Sequence, residues 1–110
     1  MVPAIALLQA QADENVYKVG DGVTSPSLLH KVEPKYTDDA RDAKIEGTVK
    51  LTVEITKEGK ARSIKVIEGL DPGLDKNAVA AIEQWRFRPG AKEGKPVIVR
   101  ATIEVNFKLK

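Results

Sequence analysis

The sequence predicts an α+β fold in two layers: a three-stranded antiparallel sheet, a long helix packed on one face, and a short helix ahead of the first strand. Three observations carry this. Residues 49–55 and 97–109 alternate apolar and polar side chains with a period of two, residues 74–85 repeat their apolar side chains at helical spacing, and Gly- or Pro-bearing breaks separate these stretches. With 110 residues and no Pro- or Ser-rich break after Pro34, the chain has room for one core. The expected division is a lead-in over residues 1–33 and a domain over residues 34–110. Aromatic residues make up only 5% of the chain against 42% for all hydrophobic residues, so the core must be built chiefly from Val, Ile, Leu and Ala.

Residues 1–12 form an apolar run closing in Ala10, Gln11 and Ala12, a small-x-small pattern of the kind signal peptidases cut. The expectation is a shortened export signal, with a mature protein starting near Asp13. The run is shorter than the roughly 20 residues needed to span a bilayer. Residues 13–34 are dense in turn formers (Gly20, Asp21, Gly22, Ser25, Pro26 and Ser27), which argues for irregular structure. Within them, residues 16–19 and 28–32 are short apolar pieces suited to edge strands or extended straps.

Thr37 is a good N-cap, Asp38 and Asp39 place negative charge in the first turn, and Gly47 follows, so a short helix is expected over residues 37–44. Val49, Leu51, Val53 and Ile55 then alternate with Thr48, Lys50, Thr52, Glu54 and Thr56 in a strand with one buried face. A tight connection at Lys57, Glu58, Gly59 and Lys60 leads into a second strand carrying Ile64 and Val66, which completes a hairpin. Asp71, Pro72 and Gly73 break the chain. Leu74, Ala78, Ile82 and Trp85 lie on one helical face, giving a helix expected over residues 75–88 with Asp75 as its cap. Pro89 and Gly90 end it. In the last strand Val97, Val99, Ala101, Ile103, Val105, Phe107 and Leu109 share one side.

A hairpin followed by a helix that returns across the sheet places the last strand beside the first, in the order 2-1-3, with a right-handed crossover. The last strand then has one flank unpaired, a row of N–H and C=O groups able to take up an extended peptide by strand addition. The alternative is an ordinary edge protected from aggregation by Arg100, Glu104 and Lys108.

Three stretches carry a family resemblance: Ala40-Arg41 through Ile45-Glu46-Gly47-Thr48-Val49, Leu74-Asp75 through Trp85-Arg86-Phe87-Arg88-Pro89-Gly90, and Val105-Asn106-Phe107-Lys108-Leu109. Together they closely resemble the TonB C-terminal domain family over residues 34–110. The resemblance implies a non-enzymatic periplasmic energy-transducer domain that grips the box peptide of a TonB-dependent outer-membrane transporter. It places that contact on the last strand, at Ile98, Val99, Arg100, Ala101, Thr102, Ile103, Glu104, Val105 and Asn106. The family's Pro-x-Tyr-Pro element, which also contributes to partner contact, is matched by Pro34, Lys35 and Tyr36, with Thr37 in place of the second Pro. The family's transmembrane anchor and Pro-rich spacer are not seen in this sequence, so an inner-membrane proton-driven motor is an expected partner only for a longer protein that carries the anchor. Alternatives are a homodimer built by pairing last strands, and an envelope module binding peptidoglycan through Lys50, Arg62 and Lys65.

Other chemistry is poorly supplied. The chain has no Cys and one His, His30, which leaves no Cys/His metal site, and no cofactor is expected. Ser25, Ser27 and Ser63 have no base at a sensible spacing, and Gly20-Asp21-Gly22 lacks the strand-loop-helix setting of a phosphate loop. A net charge of +2 with both signs interspersed, and no aromatic-basic platform, argues against nucleic acid. Trp85 and Phe87 are read as core, Arg86 and Arg88 as cations favoured at a helix C-terminus, and Tyr36 either as an exposed partner contact or as a staple onto the first helix.

Overall fold

A computed structural model describes residues 15–20 and 22–109; the expected export signal lies outside these residues. The elements in chain order are β1 (Val16–Lys18), β2 (Ser27–His30), α1 (Asp38–Asp42), β3 (Gly47–Ile55), β4 (Ala61–Glu68), α2 (Pro72–Glu83), β5 (Arg86–Arg88), β6 (Ala91–Lys92), β7 (Lys95–Pro96) and β8 (Ile98–Phe107).

The main sheet has four strands in the order β1-β8-β3-β4, rather than three. The expected 2-1-3 arrangement is present within it as β4-β3-β8, antiparallel throughout. The added strand, β1, comes from the lead-in and pairs parallel to β8. β1 falls in residues 16–19, the apolar piece suited to an edge strand or strap, but three residues are too short for periodicity to decide between the two or to say which edge receives them. A separate ribbon pairs β2 with β5 antiparallel, and β6 with β7 forms a small hairpin.

Alternation along β3 sends Val49, Leu51, Val53 and Ile55 into the core, where each is at most 1% exposed. They meet Leu74, Ala78 and Ile82 of α2, all fully buried. Each large aliphatic side chain buried this way contributes about 1.5–3 kcal/mol. Val105 and Phe107 of β8 join the same cluster, as do Trp85 and Phe87.

Both helices differ in extent from expectation. Asp71, not Asp75, caps α2: its carboxylate accepts the Leu74 N–H at 3.0 Å, and Pro72 takes the first helical turn, where a missing N–H costs nothing. Asp75 lies one turn further on and accepts the Leu70 N–H at 2.9 Å. The helix ends at Glu83, so Arg86 and Arg88 belong to a strand instead of a helix C-terminus. Trp85 stays buried, at 5% exposure, because its indole N–H donates to the Val32 carbonyl at 2.7 Å from the lead-in side. α1 is one turn and a half, capped by Thr37, whose hydroxyl accepts the Ala40 N–H at 3.0 Å.

β4 departs from strict alternation. Its register against β3 shifts twice, and Ser63 adopts a left-handed φ of 50°, so Val66 and Ile67 end up exposed at the far edge of the sheet.

Candidate functional site

β8 is the longest strand of the sheet. It pairs with β3 over nine residues without a bulge, from Gly47 opposite Phe107 to Ile55 opposite Val99. That uses one flank. On the other, β1 takes the first three residues, with Val16 opposite Ile98, Tyr17 opposite Val99 and Lys18 opposite Arg100. The chain then leaves the sheet: Gly20, at φ 110°, and Val23 exchange backbone hydrogen bonds of 3.0 and 3.1 Å, a tight turn that carries it away from β8. Among the described residues, no strand lies beside residues 101–107 on that flank. At roughly 3.3 Å per residue this is a free edge of about 23 Å.

The structure therefore divides the residues singled out on the last strand. Ile98, Val99 and Arg100 are already paired on the flank in question, and Ile98 and Val99 are buried. Ala101, Thr102, Ile103, Glu104, Val105 and Asn106 have no strand on that flank among the described residues.

The polar face of the sheet is laced with charge pairs. The Glu54 carboxylate accepts hydrogen bonds from Arg62 at 3.1 Å and from Arg100 at 3.3 Å. Partial burial pushes this carboxyl up, but the two guanidiniums outweigh burial and hold it below the ordinary glutamate value. Lys50 lies 3.3 Å from Glu68 and 3.9 Å from Glu104. Lys50 and Arg62, two of the three cations considered for peptidoglycan, are thus engaged with carboxylates. Among the described residues no cluster of three His, Cys, Asp or Glu is placed to hold a metal.

Of the element ahead of α1, only Tyr36 reaches β8. Its ring meets Phe107 edge-on at 5.6 Å between centroids, and its hydroxyl donates to the Ile45 carbonyl at 2.6 Å. Tyr36 is half-buried, and burial, reinforced by nearby Glu46, raises its phenol above the ordinary value. Pro34 and Lys35 lie elsewhere, along a groove against α2, where the Lys35 carbonyl accepts from the Asn77 side chain at 2.8 Å. Beside Tyr36, at the Phe107 end of β8, an open cleft of about 710 Å³ is lined by Arg41, Lys44, Glu46, Lys108 and Leu109. The sequence pattern did not reveal this cleft, because its residues come from three separate stretches.

The family described as Gram-negative bacterial TonB protein C-terminal matches residues 32–109. The chain belongs to the TonB C-terminal family. This family is non-enzymatic. Among relatives, protein TonB of Vibrio cholerae is 35% identical over 79% of this chain, that of Escherichia coli 26% over 76%, and that of Pseudomonas aeruginosa 35% over 69%. The chain spans 36%, 35% and 22% of the length of those three proteins. A solution structure of the Pseudomonas aeruginosa TonB C-terminal domain superimposes with a TM-score of 0.66 at 31% identity, covering 84% of this chain and 93% of that one. β1 and β2 lie ahead of the family match, so the strand that occupies the start of the β8 flank comes from outside it.

Proposed function

We propose that this chain is a periplasmic interaction domain that captures an extended peptide of an outer-membrane transporter by adding it as a strand to β8, as part of TonB-type energy transduction. The observation that carries the reading is the open flank of residues 101–107 on a strand whose opposite flank is fully paired with β3. A row of unpaired backbone groups offers affinity through main-chain hydrogen bonds, while side chains at every second position supply modest selectivity. β8 is better suited to this than the other edge. β4 shifts register twice against β3 and carries Ser63 at a left-handed φ of 50°, irregularities that disfavour strand addition, whereas the pairing of β8 with β3 has no shift.

The guest meets a built-in stop. β1 fills the flank up to Arg100, so a strand added beyond it has room for about seven residues. Transmission of force belongs to a protein of the relatives' greater length, in which this domain is the receiving end.

The test is to titrate short peptides of alternating β-branched and polar residues into uniformly 15N-labelled protein. Amide shifts concentrated from Ala101 to Asn106 are expected. Shifts confined to β4, or restricted to the surroundings of His30, rule the reading out, and so does the absence of any change at millimolar peptide.

A further inference from the structure

We infer that β1 is a self-supplied guest: it holds the first three positions of the β8 flank until a longer extended segment displaces it, so the domain sorts its guests by length. This inference rests on the strand-addition reading and adds the competitor that a long guest must remove.

β1 uses the same backbone flank of β8 that continues without a strand from Ala101, with Val16, Tyr17 and Lys18 opposite Ile98, Val99 and Arg100. It already offers what a guest would offer, an extended run set against a row of amides and carbonyls. Its hold is slight. Val16 and Tyr17 are half-buried, Lys18 is exposed, and none of the three belongs to the core cluster. Beyond the pairing, a Lys92 ammonium lies 5.1 Å from the Tyr17 ring centre. The pairing is also parallel, which is slightly less stable per residue than the antiparallel arrangement β3 makes on the other flank. An antiparallel guest covering residues 98–107 therefore replaces three weak positions with stronger ones and keeps the seven beyond them.

The link to the body of the domain lets β1 leave and return. Gly20 and Gly22 both have positive φ, and a Cβ at either would meet nothing within 4 Å, so the joint has room to swing. Directly after it the chain is fixed: Val23 is 7% exposed, and Thr24 is bonded to Ala91 at 2.8 and 2.9 Å. A released β1 stays tethered close to its place, at high effective concentration, and reseats once the flank empties. A strand held this way is seated about five times as often as not, so a guest that needs its positions binds about fivefold weaker than it would to an empty flank. A guest confined to residues 101–107 is unaffected.

The experiment titrates capped Thr-Val peptides of seven and ten residues into the 15N-labelled 110-residue chain in three forms. One is the parent. The second, Tyr17→Pro with Lys18→Pro, removes two N–H groups from β1 and unseats it. The third, Lys18→Cys with Arg100→Cys, is oxidised to pin β1 in place; neighbouring strands about 4.8 Å apart are within reach of a disulfide, the chain has no other Cys, and Glu54 keeps Arg62. The seven-residue peptide should bind all three forms within twofold. The ten-residue peptide should bind the proline form about fivefold tighter than the parent, and the oxidised form no better than the seven-residue peptide does, a limit that reduction lifts. In the parent alone, it should also move the Val16, Tyr17 and Lys18 amides to random-coil positions. Those amides staying in place with the ten-residue peptide bound overturns displacement however the variants fold. Equal affinity of that peptide for parent and proline form overturns the competition, and undiminished affinity for the oxidised form overturns the shared track. Absence of β8 shifts with either peptide in every form overturns strand addition itself.

Discussion

Trp85 sits where α2 gives way to β5 and joins the main core to the lead-in, since its ring is buried and its indole N–H is held by Val32. Trp85→Ala should cost about 3–5 kcal/mol by opening a large cavity. Trp85→Phe keeps most of the apolar contact but strands the Val32 carbonyl, and should cost about 2 kcal/mol. Urea midpoints of the two variants check both values, and a Phe variant as damaged as the Ala variant contradicts the role given to the hydrogen bond. Glu54 makes a different kind of contribution. Its carboxyl is held below the ordinary glutamate value by Arg62 and Arg100, so in the acid range the unfolded chain binds a proton that the folded one refuses. Its stabilisation is complete above the ordinary value of about 4.3 and is lost as pH falls through the lower, folded value. Glu54→Gln should therefore be less stable than the parent at neutral pH, and the gap should close on acidification. Denaturation curves at a series of pH values will show this, and a gap that widens at low pH refutes it.

At the scale of elements, the β3–β4 turn depends on one position. Gly59 has φ 81°, and a Cβ there would stand 2.0 Å from the Phe87 carbonyl oxygen, while the Gly59 carbonyl accepts the Phe87 N–H at 2.8 Å. Gly59→Ala should destabilise by about 2 kcal/mol or more, read as a lower urea midpoint, because both the conformation and the close approach oppose a methyl group. β3, β8 and the hairpin were legible because alternation over seven or more residues is a strong signal, and Gly59 in a short polar link marks the turn. α2 was legible in type but shifted in register: Trp85 falls three residues after Ile82 and so continues the helical face on paper, although the alternation Arg86-Phe87-Arg88 already spells a strand. Asp71-Pro72 carries turn chemistry that suggests a break, but it is a cap followed by a first-turn proline. Residues 16–19, which hold β1, were legible only as a piece suited to an edge strand or a strap, since three residues carry no period and nothing local says which edge receives them. That strand is held by one flank and three register positions, so it should open more readily than its neighbours. A chain lacking residues 1–19 is expected to extend peptide-induced amide shifts from Ala101 back to Ile98. Shifts that still stop at Ala101 show that β1 is not what limits the footprint.

For the molecule as a whole, the question is where the cooperative unit begins. The lead-in divides into two parts with different attachments. β1 is attached through its three-residue pairing with β8 and a Lys92 ammonium 5.1 Å from the Tyr17 ring centre, whereas residues 23–32 are woven into the fold: Val23 is buried, the Thr24 N–H donates to the Ala91 carbonyl at 2.8 Å, and the Thr24 hydroxyl accepts the Ala91 N–H at 2.9 Å. β2 then covers β5, Lys31 lies 5.8 Å from the Trp85 ring centre, and Val32 receives the indole hydrogen bond. Gly90 is packed so closely beneath this strap that a Cβ would stand 2.6 Å from both the Thr24 carbonyl and a Val99 methyl. The physical unit should therefore start near Val23, ahead of the boundary at residue 34 that turn-forming residues suggest. Removing residues 1–19 should change the unfolding free energy by under about 1 kcal/mol, because few buried groups depart. Removing residues 1–33 should cost about 3 kcal/mol or more, since it uncovers Trp85 and Phe87 and leaves the indole N–H and the flank of β5 that pairs with β2 without partners. Tryptophan fluorescence during urea unfolding reads both outcomes, because Trp85 is the single tryptophan of the chain. Equal stability of the two truncated forms shows that the strap is decoration and that the core closes without it.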